Sequence, residues 1–214
     1  MIAWVVDVAR AARSVDDVAV VTDHEGVARA AEAAGARAVV DNEPAASGTD
    51  RIARLLALDP AAAGADVVVN LQGDEPLLEP AAIDRAVEAL AAHPGADVAT
   101  LARPRRDGED PADPGLVKVA VSPDGRATAF SRGPLGASPL VHIGLYAYRR
   151  AAFDRFAAAP PDPAEEAERL EQLRALALGL TIVCVTFDSR AVAVDRPGDV
   201  ALVEERLDSE TPGT

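Results

Sequence analysis

Acidic residues that follow short apolar segments are the first candidates for chemistry in this chain. Asp74 lies in LQGDEP (71–76), directly after the Val-rich segment DVVVN, and Asp195 follows the segment AVAV. Ligands of open α/β sheets bind beyond the carboxyl ends of the strands, and carboxylates there can hold Mg²⁺ against phosphate oxygens. Two such carboxylates would suit a metal-assisted phosphoryl-type transfer. An acidic turn at Asp74 and a cap at Asp195, just before the helix that begins at Pro197, are the structural alternatives.

A second candidate is the segment SGTDR (47–51), which joins a loop to the start of a predicted helix. The first turn of a helix carries N–H groups without helical partners and a positive dipole, so it suits a nucleotide base or a phosphate. Ser47 or Thr49 can also act simply as a cap of the helix. On this pattern alone, capping is the simpler interpretation.

Polar residues later in the chain form a third group of candidates. His142 begins the apolar segment HIGLYAY, where a histidine with a purely structural role is the commoner case. A helix predicted over 164–178 has an apolar stripe, and its polar residues share neighbouring faces; they are Glu165, Glu168, Glu171 and Gln172. A charged helix face is usually only solvated, so neither pattern by itself predicts a site.

Composition and charge exclude several classes of function. The chain has 214 residues and a net charge of -14, and so acidic a surface would repel a nucleic-acid backbone. No apolar segment reaches the ~18 residues that span a bilayer, and the N-terminus has no signal-peptide pattern, so we expect no membrane partner and a cytoplasmic location. Cys184, the only cysteine, lies in TIVCV and is expected to be a buried, unreactive thiol.

Short Val-rich segments alternate with Ala- and Leu-rich helical segments, which predicts a parallel α/β sheet with helices on both faces. Segments 117–121 and 128–131 predict a β-hairpin, and a strand follows over 142–149. We expect one domain over 1–214, with an inserted antiparallel lobe at about 116–150. The other predicted elements are helices over 3–13, 25–34, 49–58, 80–92 and 197–207, strands over 17–21, 37–40, 66–71, 98–101, 181–185 and 191–194, a surface loop over 104–114, and a frayed tail over 208–214.

Together these segments resemble the CMP-KDO synthetases (3-deoxy-manno-octulosonate cytidylyltransferases). The similar stretches follow the family order over nearly the whole chain, and QGDEP followed by HIGLYAY and LEQLR is a specific combination. The stretches are MIAWV (1–5), VVTDHEGVARA (20–30), SGTDRIA (47–53), VVNLQGDEPLL (68–78), ATLARP (99–104), LVKVAVSPDGRATAFSR (116–132), HIGLYAYRR (142–150), LEQLRAL (170–176) and AVDRPGDV (193–200).

The resemblance implies an α/β, Rossmann-like nucleotidyltransferase (GT-A-like) fold with a mixed sheet, and a small antiparallel β-rich lobe that binds the sugar acid and helps to form a homodimer. It also implies that CTP and an eight-carbon keto-sugar acid give a CMP-sugar and pyrophosphate, as in lipopolysaccharide biosynthesis, with Mg²⁺ offsetting the triphosphate charge. By position, the implied catalytic Mg²⁺ ligands are Asp74 and Asp195. The implied nucleotide contacts are Ser47, Gly48, Arg51 and Gln72, and the implied sugar-acid contacts are His142, Glu171 and Gln172.

The sequence departs from the family pattern in three places. Family members begin with a strand and a phosphate-binding loop of the type IPAR-x-x-S-x-R-x-PGKPL, about 20 residues in all, whereas MIAWV is similar to the segment after that loop. We therefore expect a gap in the sheet, and we expect residues 1–214 alone to be inactive and less stable than a chain extended upstream. Ala45 stands where the family has a histidine, and the shortened segment 133–141 affects the expected lobe contacts.

Three interpretations stay open. The chain is an enzyme of this family whose true start lies further upstream, or a non-catalytic relative that binds ligand weakly or not at all. Alternatively, it is a cytidylyltransferase for a different acid, such as another acidic sugar or a phosphonate, as the shortened segment 133–141 suggests. An in-frame phosphate-binding loop in the coding sequence upstream of Met1 would decide between the first two interpretations, in favour of the enzyme with an earlier start.

Overall fold

A computed structural model describes residues 1–45, 47–136, 140–189, 194 and 197–210. Its short strands are rich in Val, which packs well on a pleated surface, and its helices are rich in Ala and Leu. The strands are β1 (Ala19–Thr22), β2 (Arg37–Val40), β3 (Val67–Leu71), β4 (Val98–Pro104), β5 (Lys118–Val121), β6 (Ala127–Ser131), β7 (Leu140–Arg149) and β8 (Ile182–Thr186). The helices are α1 (Ile2–Ala11), α2 (Glu25–Ala33), α3 (Gly48–Leu58), α4 (Pro60–Ala63), α5 (Pro80–Ala92), α6 (Arg150–Ala157), α7 (Pro163–Glu168), α8 (Gln172–Ala177) and α9 (Pro197–Glu210).

The strands form two sheets. β1 and β2 are a parallel pair, and the larger sheet has the order β6-β5-β7-β4-β8, with β3 paired to β7. β7 runs antiparallel to β3 and β4, whereas β4 and β8 are parallel. The predicted α/β fold with a mixed sheet is therefore confirmed. The purely parallel sheet expected from the alternation is wrong, because β7 enters from the β5–β6 hairpin and not through a crossover helix.

The predicted β-hairpin is formed by β5 and β6, which pair antiparallel. Its turn contains Gly125 at a φ of 83°, a backbone conformation that favours glycine. The hairpin joins the larger sheet through the pairing of Lys118 with Val141. Although the lobe was predicted over 116–150, β7 pairs with both β3 and β4. The structure thus places β7 within the larger sheet, which is the main sheet of the fold, and not in a separate lobe.

Helices cover both faces of the larger sheet. On one face, α1 and α5 pack against the buried side chains of Leu101 and Leu145. On the other face, α3, α6 and α8 surround Tyr148, Phe153 and other apolar residues. Cys184 is buried, as predicted, and lies in this second cluster, where burial raises the pKa of its thiol to about 12. In the part of the chain that the structure describes, no helix is long and apolar enough to cross a membrane.

A cleft of about 720 Å³ separates the two sheets. Its walls are Val18 and the β1 residues 19–21, the strand β3, and apolar side chains of α1, α3 and α5, among them Val5, Leu55 and Ile83. Among the described strands, β1 pairs only with β2 and β3 only with β7. Within the described residues each therefore keeps one unpaired edge, and the expected gap lies between these two strands.

Some local predictions are wrong. The single helix predicted over 164–178 is broken into α7 and α8 at Arg169, which has a φ of 55°. The helix α6 and the short helix α4 were not predicted. Of the tail expected to fray over 208–214, residues 208–210 instead continue the helix α9, and residues 211–214 lie outside the described part of the chain. Of the strand predicted over 191–194, only Val194 lies within the described residues.

Candidate functional site

The N-terminus of α3 is the first part of the site, and Ser47 is its cap. The Ser47 hydroxyl accepts the Asp50 amide at 3.2 Å and donates to the Asp50 carboxylate at 2.9 Å. The capping interpretation of SGTDR is therefore confirmed. A contact between Ser47 and a nucleotide stays a prediction.

Glu171 reaches this helix end from the turn between α7 and α8. One carboxylate oxygen accepts the Gly48 amide at 3.1 Å, and the other accepts the Thr49 hydroxyl. A Cβ atom on Gly48 would lie 3.8 Å from Gln72 Oε1 and 3.8 Å from Glu171 Oε1. The structure therefore brings two predicted nucleotide contacts, Gly48 and Gln72, together with a predicted sugar-acid contact, Glu171.

Arg51 lies one turn further along α3. Its guanidinium donates to the Asp23 carboxylate at 2.6 Å and to the Asp41 carbonyl at 3.2 Å. Its hydrogen bond lowers the pKa of Asp23. Because Asp23 follows β1 and Asp41 follows β2, Arg51 ties α3 to the carboxyl ends of the smaller sheet. Arg51, Gly48 and Gln72 all line the cleft, which places these three predicted nucleotide contacts at one opening.

Asp74 lies in the loop after β3, as predicted. The Asp74 carbonyl accepts the Val194 amide at 2.9 Å, so Val194 is held against this loop. Asp195 itself lies outside the described residues. Among the residues that are described, no group of three or more His, Cys, Asp or Glu side chains could hold a metal ion. The carboxylate of Asp74 is nonetheless the type of ligand that Mg²⁺ prefers.

His142 is placed by β7 within a row of aromatic rings. Its ring centroid lies 5.2 Å from that of Phe130 and 5.2 Å from that of Tyr146. The Thr100 hydroxyl donates to the Leu145 carbonyl at 2.7 Å, so it accepts from His142 Nε2 at 2.8 Å. Burial lowers the pKa of His142 to about 3. His142 is thus a neutral hydrogen-bond donor to Thr100, and its predicted contact with a sugar acid stays a prediction.

The helix face expected to be solvated is instead partly buried. Arg174 is 1% exposed and donates to both Glu165 oxygens, at 2.7 and 2.5 Å. The same guanidinium lies 3.4 Å from Asp50 Oδ1 at the start of α3. Gln172, a predicted sugar-acid contact, begins α8 and is 3% exposed. The break between α7 and α8 therefore aims two polar side chains, Glu171 and Arg174, at α3.

Sequence reasoning missed three residues of this site. Thr49, Asn70 and Arg174 are all buried and all take part in hydrogen bonds there. Asn70 offered a signal, because an amide within the apolar segment VVVNL needs a hydrogen-bond partner once it is buried. Thr49 was considered only as an alternative cap.

The fold and the convergent strand-end and helix-end groups are those of a nucleotide-dependent transferase. Residues 1–182 match the sequence profile of the family described as Cytidylyltransferase, which places the chain in that class. The chain is 46% identical to the 3-deoxy-manno-octulosonate cytidylyltransferase of Anaeromyxobacter sp. strain Fw109-5, over 94% of this chain and 83% of the relative. It is 43% identical to that of Rhodospirillum centenum, over 99% and 84%. The chain belongs to the family of 3-deoxy-manno-octulosonate cytidylyltransferases.

Solved structures agree with this assignment. A CMP:2-keto-3-deoxy-manno-octonic acid synthetase complexed with CTP matches with a TM-score of 0.87 and 32% identity, over 98% of this chain and 88% of that one. A 4-diphosphocytidyl-2C-methyl-D-erythritol synthase, with a TM-score of 0.65 and 18% identity, shares the fold alone. The nucleotidyltransferase fold predicted from the sequence is therefore confirmed.

Proposed function

We propose that this protein transfers a cytidylyl group from CTP to a 3-deoxy-keto-sugar acid of the KDO type and releases pyrophosphate. The observation that carries the proposal is the meeting of Gly48, Gln72 and Glu171 at the opening of the cleft. These three residues come from separate segments: the start of α3, the loop after β3 and the turn before α8. The chain also belongs to a family of cytidylyltransferases. A solved structure 32% identical to the chain is complexed with CTP, which supports CTP as the nucleotide.

The described residues suggest how the two substrates are held. Gln72 carries an amide at the opening and Arg51 a cation, both suited to the polar groups of a nucleotide. Glu171 accepts from the Gly48 amide beside the opening, and His142 lies next to Tyr146 in the row of aromatic rings. Because His142 is neutral, it needs no counter-ion. Its Nε2 atom donates to Thr100, so its other ring nitrogen, Nδ1, is the one that would accept a hydrogen bond from a sugar hydroxyl.

Mg²⁺ belongs to the proposal as the counter-ion of the triphosphate. Asp74 and Asp195 would hold it, and the hydrogen bond of the Val194 amide to the Asp74 carbonyl supports this pairing, since Val194 directly precedes Asp195 in the sequence. When bound, the ion would offset charge that develops on the phosphate oxygens as the sugar hydroxyl attacks. A homodimer, a cytoplasmic location and a place in lipopolysaccharide biosynthesis also remain parts of the proposal.

The test is pyrophosphate release from CTP, Mg²⁺ and 3-deoxy-manno-octulosonate, with the CMP-sugar identified by mass spectrometry. Residues 1–214 are assayed beside a chain extended at its N-terminus with the first residues of the Anaeromyxobacter relative. We expect turnover in the extended chain. Turnover with other acidic sugars or phosphonates in place of this acid would assign a different acceptor, and no turnover with any acid in either chain would overturn the proposal.

A further inference from the structure

A chain of hydrogen bonds runs through the protein between the two predicted subsites. Gln72 Nε2 donates to Asn70 Oδ1 at 3.2 Å, and Asn70 Nδ2 donates to Thr49 Oγ1 at 2.9 Å. The Thr49 hydroxyl in turn donates to Glu171. These hydrogen bonds therefore join Gln72, a predicted nucleotide contact on the loop after β3, to Glu171, a predicted sugar-acid contact between α7 and α8.

The two middle members of this chain do not reach a ligand. Thr49 is 0% exposed and Asn70 is 2% exposed, so both act only through their neighbours. An unsatisfied buried amide or hydroxyl is costly, so each of these groups holds its partner firmly.

Chemistry sets the direction of every bond in the chain. A carboxylate only accepts, so the single proton of Thr49 must point to Glu171. The Thr49 oxygen then has to accept from the amide nitrogen of Asn70, which leaves the Asn70 oxygen to accept from Gln72 Nε2. Gln72 is thereby held with its Oε1 atom turned away from Asn70, on the side of Gly48.

We infer that Thr49 and Asn70 are positioning residues that orient the Gln72 amide and the Glu171 carboxylate together, so that the two substrate subsites are set by one buried relay. The kinetic part of this inference rests on the proposed function. In the relay, Gln72 presents an acceptor to a hydroxyl or amino group of the ligand. Thr49 connects the two sides of the relay, because its hydroxyl accepts from Asn70, which holds Gln72, and donates to Glu171.

The charged surroundings of Glu171 make the relay measurable without any substrate. Burial raises the pKa of Glu171, while the hydrogen bonds from Thr49 and Gly48 lower it. The other groups that face it are Asp50 on α3, Arg174 on α8, and the hydroxyls of Tyr146 and Tyr148 on β7. Removing the Thr49 hydroxyl changes none of these charges.

The variants are Thr49→Val, which removes the hydroxyl at nearly constant volume, Thr49→Ser, which keeps it, and Asn70→Leu. In the ligand-free protein, ¹³C NMR of the carboxyl carbons should show the pKa of Glu171 raised by about one unit in Thr49→Val. It should stay at the parent value in Thr49→Ser and close to it in Asn70→Leu. Equal pKa values in the Val and Ser variants would overturn the relay, whether or not the protein turns over CTP.

Steady-state kinetics distinguishes the nucleotide side of the relay, at Gln72, from the sugar-acid side, at Glu171. Thr49→Val should raise the KM for CTP and for the sugar acid by about tenfold each, whereas Asn70→Leu should raise the KM for CTP alone. In Thr49→Val the Asn70 amide nitrogen loses its acceptor. The double variant Thr49→Val/Asn70→Leu removes this unsatisfied amide, so it should be more stable than Thr49→Val, but both KM values should stay high. If KM returns to normal together with the melting temperature in the double variant, the two residues are merely structural and the inference is wrong. The kinetics are measured in whichever of the two chain forms is active. If neither form has turnover, the proposed function fails and the NMR result alone decides the relay.

Discussion

Side chains at the opening of the cleft serve the fold before they serve any ligand. Ser47 caps α3, Arg51 ties that helix to Asp23, and Glu171 accepts from the Gly48 amide. A residue whose position is held by such bonds loses little further freedom when it binds a substrate. At the level of single residues, capping and ligand binding are therefore compatible.

Asp74 provides the sharpest test of the proposed Mg²⁺ site. Asp74→Asn keeps the shape of the side chain and removes its charge, so Mg²⁺-dependent CTP turnover should fall at least a hundredfold. The assay is pyrophosphate release across a Mg²⁺ titration, in whichever of the two chain forms is active. Asp154→Asn, in an exposed ion pair with Arg150 on α6, is the matched control. Turnover within a factor of two of the parent in Asp74→Asn would exclude Asp74 as a ligand.

His142 should make stability depend on pH. Its pKa is about 3 in the fold because of burial, against about 6.5 in the unfolded chain. The unfolded state therefore takes up a proton first, so stability is full above about pH 6.5 and falls as the pH drops toward 3, by at most about 1.4 kcal/mol per pH unit.

The check on this prediction is the melting temperature at pH 7 and pH 5 for the parent and for His142→Gln. The variant should lose less stability than the parent over this interval, while His93→Gln, at an exposed position, should behave like the parent. Identical losses in all three proteins would mean that His142 is protonated as readily in the fold as in the unfolded chain.

At the level of elements, the important feature is the turn between α7 and α8. α7 begins with a capping box of Asp162 and Glu165, and the chain reverses at Arg169 in a left-handed conformation. Arg174 then pairs with Glu165 across the turn, and its guanidinium lies 4.4 Å from the centre of the Phe156 ring. This buried pair keeps α7 and α8 together.

Breaking the pair should cost much of the stability of the protein. Arg174→Met leaves Glu165 buried without its cation, and it should lower the free energy of unfolding by about 3–5 kcal/mol. Adding Glu165→Gln, which keeps an acceptor for the capping box, should recover a large part of that loss. Urea unfolding of the parent, the single and the double variant measures both effects. A double variant no more stable than the single one would show that the loss comes from packing against Phe156.

For the whole molecule, the cleft between the two sheets is the dominant feature. Apolar side chains line it, together with the edges of β1 and β3 that no other described strand pairs with. An extended apolar strand laid between the two edges would pair on both sides and bury these side chains.

Extending the chain upstream should therefore stabilise it. We expect the chain with the N-terminal residues of the Anaeromyxobacter relative to melt roughly 5 °C or more above residues 1–214, and to bind CTP more tightly. The control carries the same extension with a proline in the middle of its strand, which prevents pairing. Melting curves with and without Mg-CTP measure both effects. Equal melting temperatures for the two extended chains would show that no strand enters the cleft.

The sequence by itself determined the local elements and the family. Most strands and helices begin and end within a few residues of their predicted bounds, because the periodicity of apolar side chains reflects which face each segment buries. The α/β pattern likewise marked Asp74 at a strand end and the segment SGTDR at a helix end as site candidates, whereas Gly48 and Gln72 were named individually through the family resemblance.

Only the tertiary structure decided how distant segments meet. Glu171 and Gly48 are 123 residues apart in the sequence, and no local pattern encodes their contact. The same holds for the break at Arg169, where a buried ion pair and the burial of Leu170 outweigh the helical periodicity of the segment. The position of β7 in the main sheet and the relay through Thr49 and Asn70 also depend on long-range packing, because the residues that satisfy these buried polar groups lie on other elements.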